Sequence, residues 1–141
     1  MKHGLLLALV CCLYSCKSTK VDTSKRLIMS NITKNLVFES GTVNLKAEFE
    51  DEFQYMLGFM LTKRNATFEI AGHTDSDGAK ERNLKLSQER ADKIKDILIK
   101  KGFDASKLKA VGYGENKPID TNKTHDGREV NRRIEIYLIQ N

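Results

Sequence analysis

The sequence predicts an α/β sandwich (an α+β arrangement) in which helices cover one face of a mixed β-sheet. The main signals are two segments with helical apolar periodicity, residues 46–61 and 79–101, and short apolar segments before and after them. The predicted order is β-α-β-α-β-β, and elements in such an order pack as helices on a sheet. The order of the strands within the sheet stays open at this point.

The first half of the predicted fold consists of a strand, a turn and a helix. Residues 32–38 form the strand and residues 39–42 the turn. The segment 46–61 has apolar residues at the spacing of one helical face. These residues are Phe49, Phe53, Met56, Leu57 and Met60.

The second half adds three strands and a long helix. Residues 66–72 alternate between apolar and polar, which is typical of a strand, and residues 79–101 form the helix. Gly102 ends this helix as a left-handed C-terminal cap. Two further strands span 108–113 and 133–139. The long helix has a predicted core stripe of Leu84, Ser87, Ala91, Ile94 and Leu98.

The N-terminus has the layout of an export signal. A short basic start at Lys2 and His3 precedes the apolar stretch 5–13, which is too short to span a bilayer as a helix. The segment Leu13-Tyr14-Ser15-Cys16 then resembles the bacterial lipobox, in which the cysteine is lipidated and becomes the mature N-terminus. An ordinary signal peptide with chance cysteines and a buried N-terminal helix are the alternatives.

This organisation predicts three segments. Residues 1–15 are a lipoprotein signal peptide, residues 16–30 a lipidated N-terminus with a flexible tether, and residues 31–141 the folded domain. All three cysteines lie in the first sixteen residues, so the domain has no cysteine for a disulfide, a thiol nucleophile or a metal site.

Composition and spacing argue against several function classes. The net charge of +5 invites a nucleic-acid interpretation, but the basic residues alternate with acids and lack interleaved aromatic residues. A calcium loop fails because His73 and Leu84 occupy the positions of its first and last acidic ligands. Gly112 and Gly114 lack the third glycine of a nucleotide-binding loop. We therefore expect no cofactor, no metal and no nucleic acid.

The candidate binding residues lie where a strand is followed by the long helix. The turn 73–78 comes at the carboxyl end of a strand, where α/β folds commonly bind ligands. Helical side chains lean toward the N-terminus, which directs Arg90 back toward Asp75. This carboxylate and guanidinium suit a zwitterion, Asp75 for its ammonium and Arg90 for its carboxylate. Alternatively, Asp75 caps the helix or its turn and Arg90 pairs with a nearby acid.

A hydrolase is the competing enzymatic interpretation. His73 and Asp75, together with Ser76 or Ser87, supply the residue types of a catalytic triad. Residues so close together in a tight turn rarely reach triad geometry, so we expect no enzymatic activity.

The chain also contains a series of motifs in a fixed order. They are Phe38-Glu39-Ser40-Gly41-Thr42, Gly72-His73-Thr74-Asp75-Ser76-Asp77-Gly78, Asn83, Leu86-Ser87, Arg90-Ala91, Gly112-Tyr113-Gly114-Glu115, Lys117-Pro118, Gly127-Arg128 and Asn131-Arg132-Arg133. The series resembles the outer membrane protein A C-terminal (OmpA-like) domain family over roughly residues 31–139. Many motifs in family order are far more specific than one short motif. With the lipobox, the nearest resemblance is to the peptidoglycan-associated lipoproteins.

The resemblance implies a domain that binds peptidoglycan non-covalently through the diaminopimelate of the peptide stem. In the family, an aspartate at the position of Asp75 contacts the ammonium of this amino acid, and an arginine at that of Arg90 contacts its carboxylate. Glu39 stands where Asp is commoner in the family, and Asp77 where related lipoproteins can carry Arg. The other residues that the resemblance places in the cleft are Phe38, Glu39, Ser40, Thr74, Asp77, Asn83 and Leu86.

The predicted function is that of an outer-membrane lipoprotein that tethers the membrane to the cell wall. Cys16 is its lipid anchor, and the domain faces the periplasm. Its partners are peptidoglycan, the outer membrane and envelope proteins such as Tol components. The alternative is a protein-interaction module of an envelope complex, of the Tol type or in a secretion or motility machine, with wall binding secondary.

Overall fold

Helices and strands alternate along the part of the chain that the structure describes. The computed structural model describes residues 26–28, 38 and 50–139, and its side chains are described at residue 38 and over 53–139. The elements are β1 (Arg26–Ile28), α1 (Glu50–Thr62), β2 (Thr67–His73), α2 (Lys80–Lys100), β3 (Leu108–Gly114), α3 (His125–Asn131) and β4 (Ile134–Ile139).

The strands form one mixed sheet with the order β1-β4-β2-β3. The pair β2–β3 is parallel, whereas β4 is antiparallel to β2 on one side and to β1 on the other. The predicted α/β class with a mixed sheet is therefore confirmed. In this order β3 lies at an edge, which matters for how the long helix α2 is held.

The core lies between the helices and one face of the sheet. Alternate residues of the strands point into it, and the intervening residues point to the opposite face. The strand residues of the core are Phe68, Ile70, Leu108, Ile134 and Ile136, and the helix residues are Phe53, Met56, Leu57, Met60, Ala91, Ile94 and Leu98. Among the described residues, no helix is long and apolar enough to cross a membrane.

The side chains of α2 complete the edge of β3. Gln88 accepts a hydrogen bond from the Gly112 N–H and donates one to the carbonyl of Ala110. The hydroxyl of Ser87 accepts another from the N–H of Gly114. Because these groups face away from β2, the helix side chains satisfy edge groups of β3 with which no strand of the described residues pairs.

Some predicted elements differ from the observed ones. The prediction of Leu84 in the core stripe is wrong, since 47% of this residue is exposed while the neighbouring Asn83 is buried. Arg26–Ile28, assigned to the tether, forms strand β1, and the helix α3 was not predicted. The turn 39–42 and, except for Phe38, the strand 32–38 lie outside the described residues. Gly102 follows α2 with φ +94, as predicted for a left-handed cap.

Candidate binding cleft

The loop 74–78 is fixed at its start by backbone hydrogen bonds. The N–H of His73 donates to the carbonyl of Arg133, and the N–H of Thr74 donates to that of Gly114, at 2.9 and 3.0 Å. The register of β2 and β3 shifts at His73, as at a β-bulge. These bonds place Asp75 directly beyond the carboxyl ends of two parallel strands, where the sequence predicted a ligand site.

Asp75 is held by its own turn and by α2. Its Oδ1 accepts the N–H of Asp77 at 3.0 Å, and its carbonyl accepts Nδ2 of Asn83 at 3.3 Å. Nδ2 of Asn83 also donates to Oε2 of Glu115 at 2.8 Å. Asn83 is therefore turned inward at the first turn of α2 because it joins the two loops beyond the sheet, and Leu84 is left outside.

Two arginines reach the same loop from the α3 side. Nη1 of Arg132 donates to Oδ2 of Asp75 at 2.5 Å, and Nε of Arg128 lies 3.3 Å from Oδ2 of Asp77. Arg132 also pairs with Glu129 at 3.5 Å. Each loop carboxylate thus has a guanidinium partner. Each oxygen of Asp75 has a second lone pair, so this pairing leaves room for one more donor.

The buried Asn131 orders the segment that carries these contacts. Its Oδ1 accepts the N–H groups of Ile119 and Asp120, and its Nδ2 donates to the carbonyl of Asp120 and to Oδ1 of Asn122. Asn122 in turn accepts the N–H of Ser76 at 3.3 Å. Two amide side chains, those of Asn131 and Asn122, therefore link α3, the segment before it and the Asp75 loop.

Arg90 comes from the opposite wall, two turns into α2. It is 2% exposed, and its Cζ lies 4.9 Å from the ring centroid of Phe38, which is cation–π distance. Burial lowers the pKa of Arg90 to about 10, and repulsion from Arg132 adds to this while Asp75 acts against it. The guanidinium stays charged at neutral pH and remains a carboxylate ligand.

These side chains enclose one cavity of about 310 Å³. Its lining residues are Thr74, Asp75, Asp77, Gly78, Arg82, Asn83, Leu86, Arg90 and Arg132. The cavity thus contains six of the predicted site residues, namely Thr74, Asp75, Asp77, Asn83, Leu86 and Arg90. Phe38 packs against Arg90, whereas Glu39, Ser40 and Cys16 lie outside the described residues.

Sequence reasoning did not identify Arg82 and Arg132 as part of the site. Arg82 precedes Leu86 and Arg90 at intervals of four residues, so helical spacing alone contains the signal for it. Arg132 is brought to Asp75 only by the packing of α3, and it is 57 residues away in sequence. No pattern within the chain predicts that contact.

The alternative for Asp75 is realised only in part. Asp75 does stabilise its own turn through the N–H of Asp77, but Ala79 is the N-cap of α2 and makes no side-chain cap. The candidate triad does not assemble. His73 packs on the opposite face of the sheet, stacked on Tyr113, while Ser87 bonds Leu84 and Gly114 on the helix face. Within the described residues, no group of three or more His, Cys, Asp or Glu could hold a metal ion.

Comparison with known families identifies the family of this fold. The OmpA family matches residues 37–132, which include the Asp75 loop, α2 and α3. The chain belongs to the OmpA family. This OmpA-family chain is 51% identical over 80 residues to outer membrane porin F of Pseudomonas fluorescens, a match of 57% of the chain. It is 34% identical over 111 residues to the probable lipoprotein YiaD of Escherichia coli, a match of 79% of the chain.

The matches cover only 24% of the porin and 51% of YiaD, so the chain spans a quarter and a half of these relatives. Solved structures of OmpA-like form agree in fold. The cell wall anchor of the T6SS from Pseudomonas aeruginosa superposes with TM-score 0.69 and 28% identity, covering 85% of both chains. The peptidoglycan-associated lipoprotein from Burkholderia pseudomallei has TM-score 0.67 and 24% identity, covering 74% of this chain and 88% of its own.

Proposed function

We propose that this OmpA-family domain binds peptidoglycan non-covalently through the zwitterionic end of a diaminopimelate side chain. The observation that carries the proposal is that Asp75 and Arg90 line one cavity from opposite walls. Asp75 takes the ammonium and Arg90 the carboxylate. The names of a solved cell wall anchor and of a peptidoglycan-associated lipoprotein with this fold support the same ligand class.

Burial makes the two charges selective. Asp75 is 7% and Arg90 2% exposed, so each loses most of its hydration in the cleft. A ligand that lacks one of the two charges forms only one of these charge-assisted contacts, and a hydrogen bond to a charged group is worth about 1.5–3 kcal/mol. A zwitterion satisfies both, and Leu86 and the Phe38 ring supply apolar contact beside the charges. The affinity of one site is expected to be modest, since a polymeric wall offers many copies of the ligand.

The test is co-sedimentation with purified sacculi, using Asp75→Asn and Arg90→Gln. Asp75→Asn removes a charge at nearly constant volume, and Arg90→Gln removes a charge but keeps a shorter polar side chain. We expect each to abolish most of the binding. Asp96→Asn, an exposed change on α2, is the matched control and should bind as the unchanged protein does. Thermal melting shows whether each variant folds. If both folded cleft variants sediment as fully as the control, or if sacculi without diaminopimelate retain the protein, the proposed ligand is wrong.

We also propose that the chain is a lipoprotein of the outer membrane, anchored through Cys16 with the domain in the periplasm. The lipobox-like segment and the likeness to YiaD support this. Globomycin blocks the signal peptidase that processes lipoproteins, so it should cause the unprocessed precursor to accumulate. Unchanged processing would contradict the assignment of Cys16.

A second candidate is a docking role in an envelope complex. Tyr55 and Phe59 lie one turn apart on α1, 73% and 39% exposed, and a large aromatic pair on a helix surface is a common feature of protein interfaces. Binding to an envelope protein that survives the Asp75 and Arg90 changes but is lost in Tyr55→Ser would favour this role. Envelope association that is lost only in the Asp75 and Arg90 variants would favour wall binding as the main role.

A further inference from the structure

The cleft extends beyond the pair Asp75 and Arg90 along the surface of α2. Arg82, Leu86 and Arg90 follow one another at four-residue intervals and all line the cavity. Residues at this spacing lie on one side of a helix. At a rise of 1.5 Å per residue, the backbones of the two arginines are about 12 Å apart. The cleft wall therefore has a buried guanidinium at one end, an apolar side chain in the middle and an exposed guanidinium at the other end.

The charges around Arg82 distinguish it from the other arginines of the cleft. Arg132 pairs with Asp75 and Arg128 with Asp77, so both loop carboxylates are already engaged. Glu115, the other nearby acid from the strand side, accepts a hydrogen bond from Asn83. Among the residues that the structure describes, none forms an ion pair with Arg82. Arg82 is therefore an exposed guanidinium of the cleft lining that forms no ion pair with the described residues.

We propose that Arg82 forms a second carboxylate subsite, which binds a further carboxylate of the same stem peptide. This inference rests on the proposed function, since the diaminopimelate zwitterion must first be placed between Asp75 and Arg90. An extended peptide advances about 3.3–3.6 Å per residue, so a ligand that is anchored at Arg90 reaches Arg82 within a few residues. The ligand class becomes a stem peptide with at least two separate carboxylates rather than diaminopimelate alone.

The second carboxylate has two possible sources in a stem tripeptide. One is the α-carboxylate of the γ-linked D-glutamate, and the other is the terminal carboxylate of the diaminopimelate backbone. Both present the same group to the guanidinium. Calorimetry with three probes separates them: the free-acid tripeptide, the tripeptide amidated at D-glutamate and the tripeptide amidated at its terminus.

Arg82→Gln is the test variant, and Lys93→Gln, an exposed change on the same helix outside the cavity, is the matched control. We expect Arg82→Gln to weaken the free-acid tripeptide about three- to fivefold, as for a largely solvated ion pair. One of the two amidated probes should bind the unchanged protein more weakly by the same factor and should bind Arg82→Gln with no further loss. This non-additivity assigns the carboxylate to Arg82, and the affected probe identifies its source.

Three results would overturn the subsite. Arg82→Gln could bind the free acid as well as the unchanged protein does, it could lose equal affinity for all three probes, or Lys93→Gln could show the same loss. In each of these cases the unchanged protein still binds the tripeptide and the proposed function stands. If the unchanged protein binds none of the probes, both the subsite and the proposed function fail.

Discussion

At the scale of single residues, Glu135 is the most strongly stabilised anion of the sheet face opposite the helices. It accepts hydrogen bonds from Nε of Arg133 at 2.9 Å and from the hydroxyl of Tyr137, and it lies 3.2 Å from Nε2 of His73, although not in hydrogen-bond alignment. Burial raises the pKa of Glu135, but His73, Tyr137 and Arg133 act more strongly and lower it to about 2. This cluster stabilises the site from the opposite face of the sheet, because His73 directly precedes the Asp75 loop.

The buried His73, like Glu135, makes the fold less stable as the pH falls. Burial lowers its pKa below 6.5, Arg133 and Lys117 lower it further, and Glu135 acts against them. The unfolded chain therefore takes up a proton at His73 before the folded chain does as the pH falls below 6.5. Glu135 stabilises the fold above its unfolded pKa of 4.5, and this contribution is lost as the pH falls toward 2.

We predict that the melting temperature falls steadily from about pH 7 to about pH 3, and that Glu135→Gln flattens the lower part of this profile. The glutamine cannot ionise, so the stabilisation that the wild-type carboxylate loses on acidification is absent from the start. Melting curves at several pH values measure this pH dependence of the melting temperature. Glu81→Gln, an exposed change in the first turn of α2, serves as control. Parallel profiles for Glu135→Gln and the unchanged protein below about pH 5 would contradict the assignment of Glu135.

At the scale of elements, the position of α2 depends on two glycines that face it from the sheet. A Cβ at Gly72 would lie 2.0 Å from the backbone oxygen of Ser87, and one at Gly112 would lie 2.4 Å from the backbone N of Gln88. Because the opposing atoms belong to the backbone, they cannot move aside as a side chain does. This close approach allows Ser87 and Gln88 to bond the edge of β3 and places Arg90 in the cleft.

Gly72→Ala should therefore destabilise the fold by about 1–3 kcal/mol or more, as overpacking in a core does. Gly58→Ala is the matched control, since Gly58 lies within α1 and a Cβ there meets nothing within 4 Å. The control should be neutral or stabilising by up to about 1 kcal/mol, because alanine favours a helix more than glycine does. Urea denaturation measures both. Equal free energies of unfolding for the two variants would show that α2 can shift at little cost.

Periodicity predicted α1, α2 and the strands β2, β3 and β4 to within a few residues, because each buries one regular face. It missed α3, whose seven residues include only one large apolar side chain, Val130, and that is 44% exposed. Asn131 and the Thr124 cap hold this helix through hydrogen bonds, which no apolar pattern records.

The candidate site also combines residues that the sequence predicts with a contact that it does not. Asp75 and Arg90 were predictable because loop position and the lean of helical side chains direct them toward each other, and the family resemblance added Asn83 and Leu86. The Asp75–Arg132 pair was not, since it depends on how α3 packs beyond the sheet. Leu84 failed as a core residue because Asn83 takes the inward position at the start of α2, where it bonds Asp75 and Glu115.

At the scale of the whole molecule, two kinds of attraction to the wall have to be separated. The chain carries a formal net charge of +5, and a cell wall with free carboxylates attracts such a surface without any specific site. Attraction between exposed charges is screened over about 10 Å at 0.1 M salt and about 3 Å at 1 M. Asp75 and Arg90 lie in a cleft where both are more than nine-tenths buried, and buried pairs are screened much less.

We therefore predict that binding to sacculi weakens as NaCl rises from about 0.1 to about 1 M but reaches a plateau above zero. The double variant Asp75→Asn with Arg90→Gln leaves only the general attraction, and its binding should fall to background at high salt. Lys93→Gln with Lys100→Gln lowers the net charge on the exposed side of α2, so it should reduce binding at low salt and leave the plateau unchanged. Sedimentation across the salt series measures the general attraction and the binding in the cleft separately. Melting curves show whether each variant folds. A plateau that disappears in the unchanged protein, or one that persists in the cleft double variant, would mean that the charged surface rather than the cleft holds the domain on the wall.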